Sequence, residues 1–292
     1  MTDQAIKQQS SNTLAIVKRD TIDVVAKKVR EFQQHGEIQF PANYSPENAM
    51  KSAWLTLQKM VDKNKRPVLE VCTKSSIANA LLNMVIQGLN PAKQQGYFIA
   101  YSNKLFFQRS YFGTIASTKM LTGAKDIIAQ IVYDDDIFDY EFDKKGCKHI
   151  IRHEQILDNI GNNNIRAAYC NIIWPDEYTF LDIMTWDQIK QSWKQSKSKP
   201  ILESGLISSD STHGMFTIDM ALKTVINHAC KYYVNTSNDS GLMIEQIRQF
   251  DKEIDAARLE SEIEENANKG EILELDEIDD DQFNEDVKSK NE

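Results

Sequence analysis

Over 55 consecutive residues, Val71 to Lys125, the chain carries neither aspartate nor glutamate, where its own composition would place about eight. Six bases fall in the same window: Lys74, Lys93, Lys104, Arg109, Lys119 and Lys125. Phosphate backbones are bound by Lys and Arg and repelled by carboxylates, so the window marks a surface suited to a polyanion. Other absences narrow the class. No apolar run approaches 18 residues, so no membrane span is expected. The opening residues, MTDQAIKQQSSN, have no apolar stretch and are not expected to act as a signal peptide. No CxxC pair occurs among Cys72, Cys147, Cys170 and Cys230, which fits reduced, buried thiols in a cytosolic protein. No fixed-period repeat is present, which excludes a solenoid.

The net charge of −9 conceals an asymmetry. From Gln246 to Glu292 there are 17 acids and six bases, a charge of −11, so the rest of the chain is at +2. A near-neutral body with an acidic tail often separates a polyanion-binding core from an interaction segment. At 292 residues the chain is long enough for one large domain or two small ones.

Residues 1–13 are polar and expected to be flexible. Helical spacing follows over 14–34. Ser45-Pro46-Glu47 opens a second helix to about Val61, with serine as N-cap and proline in the first turn. A third runs from about Ser75 to Gln87 and is closed by Gly88. Then the period changes to two. Tyr97–Tyr101 and Lys104–Arg109 flank Ser102-Asn103 and read as a hairpin. Ser110–Leu121 reads as a helix. Residues 126–133, 137–142, 148–152, 165–174 and 178–184 read as antiparallel strands. Thr185-Trp186-Asp187-Gln188 has capping-box spacing and opens a helix to about Lys197. Met215–Val234 is an amphipathic helix, with Met215, Ile218, Leu222, Val225, Ile226, Ala229 and Tyr233 facing inward. Residues 242 to about 265 allow one more helix before a disordered acidic tail. Helices, then strands, then helices give an α+β fold with an antiparallel sheet and hairpin core flanked by helices. The division is a flexible 1–13, a main domain over 14–241, and an acidic segment over 242–292.

The hairpin carries the sharpest signal. With Ser102-Asn103 as the turn, Tyr97, Ile99, Tyr101, Lys104, Phe106 and Gln108 share one face. That mixture suits base stacking and phosphate contact. The opposite face holds Phe98, Ala100, Leu105 and Phe107, with Arg109 at its end, and is the better core. Ser110, Thr114, Ser117 and Thr118 cluster on the next helix beside Lys119, where a helix N-terminus and small hydroxyls admit a backbone closely. The run Gly113 to Lys119 lacks the second glycine of a phosphate loop, and no other nucleotide-hydrolysis motif accompanies it. Lys223 and Lys231 lie on a polar row with Asp219 and Asn227. Lys190, Lys194, Lys197 and Lys199 form a looser second patch with Trp193. Two weaker constellations allow metal chemistry. The acidic run Asp134 to Asp143 allows a metal-dependent nuclease. Cys147, His149 and His153 allow part of a zinc site, with no second pair to complete four ligands.

The stretch from Gly88 to Asp136 resembles the RecT family of phage and prophage single-strand annealing recombinases. The resemblance is carried by Asn90-Pro91-Ala92-Lys93, the hairpin, Gln108-Arg109-Ser110-Tyr111-Phe112-Gly113 and Thr122-Gly123-Ala124-Lys125. Met220-Ala221-Leu222-Lys223-Thr224-Val225 matches a later helix of that family, while Asn227-His228-Ala229-Cys230-Lys231 is less basic than the family there. The resemblance implies a binding protein rather than an enzyme. It would pair complementary DNA strands in recombination without ATP and without a catalytic metal, magnesium only modulating binding. It would assemble as rings or helical filaments, with helices and sheet forming a basic DNA groove. The implied partners are single-stranded DNA, newly annealed duplex and a separate exonuclease, in the cytoplasm of a bacterial host. The acidic segment is a candidate dock for the host single-strand binding protein, or an internal competitor for the DNA surface. The first two helices are the expected oligomer contact. Lys93, Lys104, Gln108, Arg109, Thr114, Lys119 and Lys223 align with the family's basic and polar positions. Tyr97, Tyr101, Ser110, Thr118, Lys125, Lys190, Lys194 and Lys231 join them as expected DNA contacts from the residue pattern. A passive single-strand protector and the nuclease are the rival readings.

Overall fold

The computed structural model describes residues 21–161, 164–195, 200–236, 245 and 248–257. Residues 1–20, 196–199, 237–244 and the tail beyond 257 lie outside these, and with them the expected flexible segment 1–13, Lys197, Lys199 and most of the acidic segment. Met1–Ile254 form one compact unit and Asp255–Glu292 a second.

The fold is α+β, with antiparallel sheets flanked by helices. Helix α1 spans 21–34. Helix α2 is Pro46–Leu57, and the Ser45 hydroxyl accepts the Asn48 N–H at 3.3 Å. It ends four residues earlier than its spacing suggests. Asp62 there turns the chain by accepting the N–H groups of Asn64 and Arg66, and Val61 bridges to Pro67. A short α3, Val68–Val71, precedes α4, Lys74–Ile86, which Thr73 caps. Gly88 closes α4 at φ +66°, a left-handed conformation that glycine adopts without a Cβ penalty.

Strands β1 (Gly96–Tyr101) and β2 (Lys104–Arg109) pair as expected, Tyr101 opposite Lys104 and Tyr97 opposite Gln108. Phe98, Leu105 and Phe107 are buried and join Met50, Trp54, Leu57, Ile77, Leu81 and Met84 in a first core. The apolar stripes of α1 and α2, expected at a subunit contact, therefore lie within the chain's own core, Val25 and Val29 included. Val24 and Leu55 are the large apolar residues these two helices leave exposed.

Helix α5 (Tyr111–Thr122) leads to the second core. Strands β3 (Asp126–Tyr133), β6 (Ile165–Ile173) and β7 (Thr179–Thr185) form an antiparallel sheet in the order β3-β6-β7. Alternation divides its faces. Ile131, Ala168, Cys170, Ile172 and Met184 meet α6 (Trp186–Lys194) and α8 (Thr217–Thr236). Val132, Ala167, Tyr169 and Leu181 face the other way. The hairpin of β4 (Ile137–Phe142) and β5 (Lys148–Glu154) folds onto that second face through Phe138 and Ile150. Thr185 and Gln188 make the capping box of α6 that their spacing predicts.

The amphipathic helix begins later than expected. A short α7, Thr212–Met215, comes first, and Phe216 (φ −129°, ψ 51°) breaks it from α8. Met215, expected inward, is therefore exposed, and His213 lies inside instead. The lone cysteines form no disulfide; Cys72, Cys170 and Cys230 are buried and Cys147 is only half-buried.

Candidate nucleic-acid interface

The β1–β2 hairpin is fixed at both ends. At its turn, the Thr73 N–H donates to the Asn103 carbonyl at 2.9 Å, and the Leu105 N–H donates to the Ser76 hydroxyl at 3.1 Å. At its base, Asn90 and Gln95 fold the Asn90–Gln95 loop, with the Ala92 N–H on Asn90 Oδ1 and the Asn90 N–H on Gln95 Oε1, both at 2.9 Å. That loop is bound to the start of α5. Ser110 donates its N–H to the Gln95 carbonyl at 3.1 Å and its hydroxyl to the Gln94 carbonyl at 2.6 Å. Gly113 then packs so closely that a Cβ there would run into the Gln95 carbonyl oxygen and the Arg109 side chain. Gly113→Ala is expected to lower stability by about 3 kcal/mol, read in urea denaturation, because backbone rather than a flexible side chain blocks the methyl.

Pinned in this way, the hairpin presents one face. Tyr97 and Lys104 are exposed, and Ile99, Tyr101, Phe106 and Gln108 are half-buried. The Tyr101 and Phe106 rings lie 5.9 Å apart. Lys93, on a 3-10 turn over Pro91–Lys93, is exposed just before β1. Lys119 meets Asp126 at 3.5 Å, and Lys125 is exposed.

Other expected contacts are placed differently. Thr118 is fully buried beside Cys230, so no strand in solvent reaches it. Ser110 caps α5, its hydroxyl accepting the Gly113 N–H at 3.2 Å, and the half-buried Thr114 hydroxyl donates to the Ser110 carbonyl. The helix N-terminus expected to receive phosphate is thus already capped from within. Arg109 is 18% exposed, donating to Gln87 Oε1 at 2.5 Å and pairing with Asp251 at 3.3 Å. Asp251 belongs to α9, residues 248–257, the described part of the acidic segment. An acid from far along the chain therefore reaches the end of a surface that lacks its own. The charge imbalance makes the acidic segment a candidate competitor for this surface, but no local pattern singles out Asp251 or Arg109.

A second surface lies between α6 and α8. Lys223, Asn227 and Lys231 of α8 line a cleft of about 480 Å³ together with Ser192 and Trp193 of α6 and Gln195 at its C-cap. His213 closes one side; burial first, then the Lys223 ammonium, holds its imidazole below the usual histidine range. The α6 lysines expected here do not line the cleft: Lys190 pairs with Asp187 at 2.8 Å, and Lys194 is exposed.

The acidic run has a structural use. Asp136 accepts N–H groups from Tyr133 and Ile156 and faces His153. Burial pushes its carboxyl up, but these bonds outweigh burial and hold it below the ordinary carboxylate range. The Cys147 N–H foremost, then His149 and the Lys145 N–H, does the same for Asp143. His149 and His153 serve Asp143 and Asp136 separately, rather than a shared ion. Among the described residues no three His, Cys, Asp or Glu groups are placed to hold a metal. Also among the described residues, no helix is long and apolar enough to cross a membrane.

The model of the RecT family matches residues 47–258, from α2 through α9. No curated protein matches the chain.

Proposed function

The chain belongs to the RecT family of single-strand annealing proteins of recombination, and from that membership we propose that it holds single-stranded DNA on the outer face of the β1–β2 hairpin and pairs it with a complement without ATP. The observation that supports this placement is the pinned hairpin face, with Tyr97, Tyr101, Lys104 and Gln108 together inside a window free of acids. Rings accept any base and lysine accepts any phosphate, so binding carries little sequence information. Lys93, Lys119 and Lys125 extend the charge beside it. Watson–Crick pairing supplies the specificity. The protein supplies local concentration, alignment and charge screening, and no covalent step is needed.

Annealing over long tracts calls for many subunits, head to tail in a ring or filament. An exonuclease that exposes the single strand, and a host single-strand binding protein met through the acidic segment, complete the proposed setting in a bacterial cytoplasm. Magnesium tunes the electrostatics. To test the non-enzymatic reading, the full chain is incubated with one labelled oligonucleotide in magnesium without ATP, and the strand is then sized. A bound strand of full length supports the proposal. A shortened strand contradicts it and favours a nuclease at the Asp134–Asp143 run.

Asp251 occupies Arg109 as a phosphate would. Its pair is partly open to solvent, and such pairs contribute about 0.2–1 kcal/mol. Asp251→Asn is therefore expected to tighten single-strand binding by up to about fivefold at low salt, in anisotropy titrations. An unchanged affinity would mean that Arg109 takes no part in binding.

A further inference from the structure

The two surfaces that suit DNA differ in kind. The hairpin face offers rings to stack on, with Tyr97 exposed and Tyr101 beside Lys104. The cleft between α6 and α8 offers only the imidazole of His228, which Asp182 already holds at 2.6 Å. Its indole, Trp193, is 2% exposed, donates its N–H to Thr224 Oγ1 at 2.8 Å and meets His213 edge-on. What the cleft provides is charge and short polar groups. Lys223 and Lys231 stand two turns apart on α8 with Asn227 between them, and line the cleft with Ser192 and Gln195. Among the described residues that line it there is no carboxylate. Asp182, on the strand beneath α8, is already paired with His228 at 2.6 Å. The volume, about 480 Å³, has room for one phosphate with its sugar.

We propose that this cleft grips one phosphate, with its sugar, of the incoming complementary strand, while the hairpin face holds the first strand. The inference rests on the annealing function proposed above and assigns the two strands to different surfaces. Its physical basis is what each strand can offer. The first strand arrives unpaired, and its bases are free to stack on tyrosine. Once pairing begins, the second strand turns its bases towards the first and leaves only its backbone for the protein. A site with two ammonium groups and amide and hydroxyl groups, whose one exposed ring is already held by a carboxylate, matches a backbone better than a row of bases. Helix α5 follows directly from β2 and packs on α8, so the hairpin and the cleft helix are linked through one rigid element.

The test uses the full chain carrying Lys223→Gln and Lys231→Gln, beside a Lys223→Arg/Lys231→Arg version that keeps the charge. Three quantities are read: affinity for a labelled single strand, the rate of pairing with its complement, and the salt dependence of the complex with the annealed product. The glutamine pair is expected to slow pairing about tenfold and to reduce the salt slope of the annealed complex by about one, as for one lost phosphate contact. Single-strand affinity should change by less than about twofold. The arginine pair should restore both altered quantities. Equal losses on the single strand and the annealed product would put the cleft on the first strand and overturn the proposal. So would a glutamine pair that pairs strands at the wild-type rate. A free nucleotide is the other source of the same chemistry. Millimolar dTMP should slow wild-type pairing no more than inorganic phosphate does; a selective block by dTMP would reassign the cleft and overturn the proposal. A wild-type chain that binds a single strand but does not speed pairing would overturn the annealing function itself, a failure visible before any variant is made.

Discussion

Tyr97→Ala combined with Tyr101→Ala is expected to weaken single-strand binding by about a hundredfold, and by a similar factor for every sequence. Each base stacked on an aromatic ring contributes about 1–3 kcal/mol, and each 1.4 kcal/mol is about tenfold in affinity. Two rings at the low end of that range already give more than tenfold, and mid-range values exceed a hundredfold. The fold should survive the change. Both rings lie on the outer face, and the buried face of the same hairpin keeps Phe98, Leu105 and Phe107 in the first core. Tyr97→Phe with Tyr101→Phe keeps the rings and should keep most of the affinity. Anisotropy titrations at one salt concentration, on a thymine run and on mixed sequences, decide the matter. A loss confined to one sequence, or below about threefold, would remove stacking on this face from the account.

Trp54→Ala is expected to produce the largest loss of stability, about 3–5 kcal/mol. Trp54 is 1% exposed and packs with Met50, Leu57, Ile77 and Leu81 under the hairpin. Its removal leaves a cavity in a core whose backbone closes only in part. Trp54→Phe should cost much less, because the indole N–H has no hydrogen-bond partner among the described residues and phenylalanine removes that buried donor. Urea denaturation of the two variants gives the comparison. The link to function is direct, since the same core supports the buried side of β1 and β2. Single-strand affinity of the alanine variant should fall as the native fraction falls, and not before.

The hairpin was legible because the Ser102-Asn103 turn fixes one register, and period two in that register buries Phe98, Leu105 and Phe107 on a single face. The caps at Ser45 and Thr185 were legible for a similar reason, since a side-chain acceptor at the right spacing satisfies amides that nothing else nearby can reach. The faces of α5 were not. Its serines and threonines look like a polar surface, yet Ser117 and Thr118 are buried. Small hydroxyls fit a tight helix packing as readily as they meet solvent, and spacing does not distinguish the two. The break at Phe216 lacks glycine or proline, so the apolar period ran past it and placed Met215 inside. The α6 side of the cleft and the Asp251 contact join residues 28 to 142 positions apart in the chain, and no local pattern records which distant residue will arrive. What did carry over distance was an absence. A stretch without acids showed where a polyanion could lie, although not which of its bases would be free to touch it.

The central claim is that the chain speeds pairing of complementary strands by binding alone. The most direct measurement mixes the full chain with one oligonucleotide, adds a fluorescent complement in magnesium without ATP, follows pairing in time and sizes both strands at the end. Pairing faster than in the absence of protein, with both strands at full length and the gain lost as salt rises, is the expected result. Binding of the first strand with no acceleration, or acceleration that disappears unless ATP is supplied, would contradict the account.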